Sequence, residues 1–124
     1  MKIRILGNTL RIRVKMFETQ ALQNSGLIEE VLEFGPDDSD KLRFQVISGY
    51  ENFAIEQHGT SIRIVVPKAL INSWTTTDLV GFEEVITTSK GSEIKVLIEK
   101  DFACLDSDRE YEEGSYPNPI EGCN

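Results

Sequence analysis

Apolar and polar residues alternate strictly through KIRIL and TLRIRV, on either side of Gly7-Asn8. Such period-two alternation across a glycine-containing two-residue connection predicts a β-hairpin, with Leu6 opposite Thr9, Ile5 opposite Leu10, Ile3 opposite Ile12, Arg4 opposite Arg11 and Lys2 opposite Arg13. The apolar side chains then share one face and the cations the other. The pattern next lengthens to a helical period at Phe17, Ala21 and Leu22 in MFETQALQNSG, and Gly26 supplies a stop. Two strands follow, LIEEVLEF and KLRFQVIS, joined by the turn-rich GPDDSD.

The same order then recurs. NFAIEQ and TSIRIVV flank His58-Gly59 as a second hairpin. Pro67 suits the first turn of a helix through KALINSW, in which Leu70 and Trp74 share a core-facing side. FEEVITT and SEIKVLIEK form a hairpin around Ser89, Lys90 and Gly91. Leu10, Arg11, Ile12 and Val14 match Ile62, Arg63, Ile64 and Val66 at an offset of 52, and Leu42, Phe44 and Val46 match Ile94, Val96 and Ile98 at the same offset. The Glu-Glu-Val triplets that begin at Glu29 and Glu83 differ by 54. Short β-rich segments resemble one another because few residues favour strands, but here the order of elements repeats along with the residues. The expected fold is α+β: a mainly antiparallel eight-stranded sheet, curled or closed into a barrel, with two short helices and a duplicated β-β-α-β-β unit. The expected organisation is one domain over residues 1–105, with repeats at 1–50 and 51–100, and an acidic strap over 106–124 packed on it.

Composition narrows the function classes. A chain of 124 residues with 40% apolar and 27% charged residues suits a single globular domain. The chain opens on alternating charged and apolar residues where a signal peptide would hold a continuous apolar segment, and no run reaches the ~20 apolar residues that span a bilayer. A cytoplasmic protein without a membrane association is expected. Net charge is −8, which argues against nucleic acid as a partner. Residues 101–124 hold seven acids and one base, so they carry −6 and leave −2 for residues 1–100.

That imbalance directs attention to the basic face of the first hairpin. Like charges opposed across a ladder are unfavourable, so Lys2, Arg4, Arg11 and Arg13 require anions nearby, and Lys15, Lys41 and Arg43 extend the same face if Leu42, Phe44 and Val46 point inward. The counter-ions can be Glu29 and Glu33, the acidic C-terminal stretch with its aromatic anchors Phe102, Tyr111 and Tyr116, or a phosphate- or carboxylate-bearing ligand held by charge-assisted hydrogen bonds. The corresponding positions of the second half, Asn52, Ala54, Arg63, Val65, Val85 and Leu97, are mostly uncharged and suit burial beneath a helix. The candidate anion-binding set is Lys2, Arg4, Arg11, Arg13 and Arg43, for an anionic small molecule or a protein partner.

No catalytic residue, cofactor or metal site emerges. His58, the single histidine, falls in a turn without a positioned partner for base catalysis. Cys104, between Phe102 and Leu105, suits a small buried apolar role; with Asp106, Asp108 and Cys123 it matches no common zinc spacing. Reduced thiols are expected.

The N-terminal KIRILGNTLRIRV and the C-terminal KDFACLDSD and YPNP resemble the two ends of an uncharacterised family of small bacterial proteins, a domain of unknown function, which implies a soluble bacterial protein and no particular activity. Strand-rich repeats with alternating basic residues are also similar in architecture to the triphosphate tunnel enzymes, whose barrel binds triphosphate and metal. That resemblance implies a metal-dependent phosphohydrolase in which Glu29, Glu33 and Glu83 hold the ion, since the first strand lacks the acids of that superfamily. A non-enzymatic binding or interaction domain is the first expectation, and the phosphohydrolase is the alternative.

Overall fold

The computed structural model describes residues 1–102. Eight strands and two α-helices run in the expected order: β1 (Lys2–Leu6), β2 (Thr9–Val14), α1 (Met16–Ser25), β3 (Leu27–Glu33), β4 (Lys41–Gly49), β5 (Ala54–His58), β6 (Ser61–Pro67), α2 (Lys68–Thr76), β7 (Gly81–Thr87) and β8 (Glu93–Lys100). A short 3₁₀ turn, Asp38–Asp40, leads into β4. The first hairpin has the expected register, from Leu6 opposite Thr9 to Lys2 opposite Arg13. Its turn has Gly7 at φ 58°, a left-handed value that glycine adopts without steric cost at the first central position of a type II′ turn.

The second hairpin turns one residue later than expected. His58 pairs with Ser61 across Gly59-Thr60, because Gly59, again at φ 58°, takes the same turn position as Gly7. The shift changes each cross-strand partner by two residues, so the inward and outward faces are preserved.

The eight strands do not form one sheet. They divide into two four-stranded sheets, ordered β1-β2-β8-β7 and β3-β4-β6-β5. Each is mixed: the outer pairings are antiparallel, while the central pairs β2-β8 and β4-β6 are parallel. The expectation of a single curled sheet or barrel is therefore corrected. Neither sheet closes: among the described residues β1 and β7 are the edge strands of the first sheet and β3 and β5 those of the second.

The registers of the two sheets correspond. Ile12 opposes Ile98 in the first sheet as Ile64 opposes Val46 in the second, and Ile3 opposes Ile12 as Ile55 opposes Ile64. Across the remaining pair, Ile28 opposes Val46 as Phe82 opposes Ile98. The offset is 52 everywhere except between β3 and β7, where it is 54, the same slip that the Glu-Glu-Val triplets carry.

Alternate residues turn inward from both sheets into one core, which includes Ile12, Val14, Val46, Ile64, Val66 and Ile98. The helices connect β2 to β3 and β6 to β7 and contact each other, so they lie at the end of the sandwich where β2 and β6 finish. Leu22, Ile71 and Trp74 complete the core there. Trp74 is fully buried. Its ring meets Phe82 edge-on at 5.3 Å, and its indole N–H donates to the Val80 carbonyl at 2.9 Å, satisfying the polar atom that so large a buried side chain carries. Two helical expectations change. Phe17 is 67% exposed, while Glu18 and Thr19 are buried; Leu70 only borders the core and Ile71 enters it.

Candidate functional site

Outward-facing residues of the first sheet form rows across its strands. One row runs Lys2, Arg13, Glu99, Gly81, and the next runs Arg4, Arg11, Leu97, Glu83. Four of the five residues of the expected anion-binding set thus share a surface. Arg43 does not. It lies on β4 in the other sheet, where its guanidinium is 2.9 Å from Asp38 and its Nε 3.9 Å from Glu29. Lys41 is on that sheet as well, paired with Glu33.

Among the described residues, Glu99 is the counter-ion that Arg11 and Arg13 share. The Nε atoms of Arg11 and Arg13 each donate to its Oε1 at 2.9 Å, and Arg11 Nη2 lies 2.7 Å from the same oxygen. Burial pushes the pKa of this carboxyl up, but hydrogen bonds from Arg13 and Arg11 outweigh that effect and hold it below the ordinary 4.5. Lys2 pairs with Asp101 at 3.1 Å, and the Asp101 N–H donates to the Val14 carbonyl at 2.8 Å, extending β8 alongside β2. Lys95 pairs with Glu83 at 2.6 Å.

The glutamates expected to neutralise this face are elsewhere. Glu29 accepts from Gln45 Nε2 at 2.6 Å and, with Arg43, belongs to the second sheet. Alternation marks Glu99 as outward-facing in SEIKVLIEK, but nothing local indicates that β8 lies beside β2. Nor are the matching positions of the second half covered by a helix as expected: Val85 is 53% exposed, and Arg63 donates to Gln45 at 3.3 Å on the face of the second sheet.

A further ionic group was not legible in the pattern. The Met1 ammonium donates to Glu18 and to Glu30, each at 2.6 Å. Burial lowers its pKa, and the hydrogen bonds and charges of the two carboxylates more than compensate, so the value is raised above 8.0. Glu18 also accepts from the Lys15 backbone N–H at 2.9 Å, so it closes the start of α1 while holding the first residue of the chain.

At the hairpin-turn end, away from the helices, the two sheets leave an open cavity of about 830 Å³. His58 stands at its rim, 3.1 Å from Glu56. No group of three or more His, Cys, Asp or Glu side chains is arranged to hold a metal among the described residues. Cys104 and Cys123, and the expected docking of residues 106–124, lie outside the described residues. No helix among the described residues is long and apolar enough to cross a membrane.

The sequence profile of one family spans nearly the whole chain, residues 1–120. The chain belongs to DUF7009, a family of unknown function. Membership in DUF7009 agrees with the resemblance carried by the two ends of the sequence. No curated protein and no solved structure matches the chain.

Proposed function

We propose that this chain is a small cytoplasmic binding or interaction domain in which Lys2, Arg4, Arg11 and Arg13 present an anion-recognition surface. The observation that carries this reading is the convergence of Arg11 and Arg13 on one oxygen of Glu99. Neighbouring guanidinium groups held on a rigid sheet are already arranged for carboxylate or phosphate oxygens. The acidic residues after Asp101 are the nearest source of such groups, since β8 ends beside Lys2 and the stretch 103–124 follows it. In this reading residues 1–105 are the domain, and 106–124 a strap that competes with an external anionic ligand.

The corresponding registers of the two sheets support an origin of the fold by duplication of a β-β-α-β-β unit. The halves have since diverged on their outer faces, and the first alone retains the run of cations.

The phosphohydrolase alternative draws less support. A tunnel enzyme needs charged side chains directed into a closed barrel, whereas here the inner faces supply an apolar core and the cations point outward. Glu99, a carboxylate beside Arg11 and Arg13, is engaged by them rather than available to a metal.

Thermal unfolding with and without tripolyphosphate, with and without magnesium, tests the reading. Ligand binding to the folded state raises stability by mass action. The expected result is a rise in Tm without magnesium, larger for a chain ending at Leu105 and lost in the Arg11→Gln/Arg13→Gln double variant. No rise in any chain would overturn the anion surface, and a rise that requires magnesium would favour the alternative.

A further inference from the structure

The open cavity at the hairpin-turn end is independent of the basic face. It lies between the inner sides of both sheets. Ile5, Leu10 and Ile94 line it from the first sheet, and Phe44, Ile55 and Ile62 from the second. By alternation these positions belong to the core. At the helix end of the same inner faces, Val14, Val66 and Trp74 are almost wholly buried, but here Ile5 is 62% exposed. The helices account for the difference, because among the described residues both cross between the sheets at one end and none crosses at the other.

Leaving concave apolar surface in water is costly at about 25 cal/mol per Å², and such surface in a folded protein commonly marks a binding site. The volume, about 830 Å³, is of the size that takes small molecules. Its polar lining includes the turn residues Asn8, Ser89 and Lys90 and, on β5, Glu56, Gln57 and His58, with Gln57 opposite Ile62. His58 is engaged with Glu56, whereas Lys90 makes no ion pair among the described residues. The entrance therefore offers a cation beside a mainly apolar interior.

We infer that this cavity binds a small amphipathic carboxylate, with its hydrocarbon body between the sheets and its head group at Lys90. The hairpin turns Gly7-Asn8 and Ser89-Lys90-Gly91 form the entrance.

Titration of the full chain with decanoate and with decanol, followed by calorimetry and by methyl resonances, tests the inference. Saturable binding of decanoate is expected, with shifts concentrated at Leu10, Ile55, Ile62 and Ile94. Ile62→Trp, which fills the cavity, abolishes binding of both compounds. Lys90→Glu, a surface change that spares the core, weakens decanoate about tenfold and leaves decanol unchanged. Absence of saturable binding by either compound overturns the site. So do decanoate shifts confined to the neighbours of Arg11 and Arg13, which would mean that the head group alone is bound at the basic face.

Discussion

Arg13 and Glu99 lie side by side in the parallel β2-β8 pair, with Arg13 Nε 2.9 Å from Glu99 Oε1. They are separated by most of the described chain, so the ion pair joins the first hairpin to the last. Together with Arg11 it makes Glu99 both a structural fastener and the resident anion of the proposed surface.

Glu99→Gln removes the charge while keeping the shape. A loss of about 1–2 kcal/mol in unfolding free energy is expected, within the range for hydrogen bonds to charged groups in partly buried sites. Urea denaturation measures it, and a loss below about 0.5 kcal/mol would class the pair with ordinary surface ion pairs. The same variant is expected to bind tripolyphosphate more tightly than the parent chain, since the arginines lose their competing carboxylate.

The pH dependence follows from the lowered pKa of Glu99. A carboxyl more acidic in the folded than in the unfolded chain adds stability that is fully present above its unfolded value, near 4.5, and is lost as pH falls through the folded value. The stability difference between the parent chain and Glu99→Gln should therefore be constant near neutral pH and shrink under acid conditions. A difference that widened on acidification would contradict the assignment.

Arg43 offers a control. It stands on the other sheet with Asp38 and Glu29, so Arg43→Gln should leave any tripolyphosphate response unchanged, whereas Arg11→Gln diminishes it. Equal losses in the two variants would indicate general charge attraction rather than a defined surface.

Gly81 lies opposite Glu99 at the edge of the first sheet. A Cβ there would press on the Ile98 carbonyl oxygen and on the backbone and Cβ of Glu99. Gly81→Ala should cost about 2 kcal/mol through this overlap and the shift it forces on Glu99. Gly7→Ala meets no neighbouring atom and should cost about 1 kcal/mol, from its left-handed backbone alone. Thermal denaturation of the two variants compares crowding with backbone strain, and a costlier Gly7→Ala would reverse the argument.

The sequence by itself determined the local elements. Period-two alternation, the glycines at 7, 26, 59 and 91 and the helical spacing before Gly26 suffice because hairpin pairing and helix formation are local. They supplied the eight strands, the two helices, the first hairpin register and the common face of Lys2, Arg4, Arg11 and Arg13. Only the tertiary structure decided which hairpins lie together. Alternation states which face of a strand turns inward, but it does not name the neighbour on its open edge, and both parallel pairings, β2 with β8 and β4 with β6, join such edges. That choice separated Arg43 from the other arginines, brought Glu99 between Arg11 and Arg13, and replaced the single curled or closed sheet by two open ones. Packing of both helices at a single end then left the cavity between the sheets, a consequence of global arrangement that no local pattern encodes.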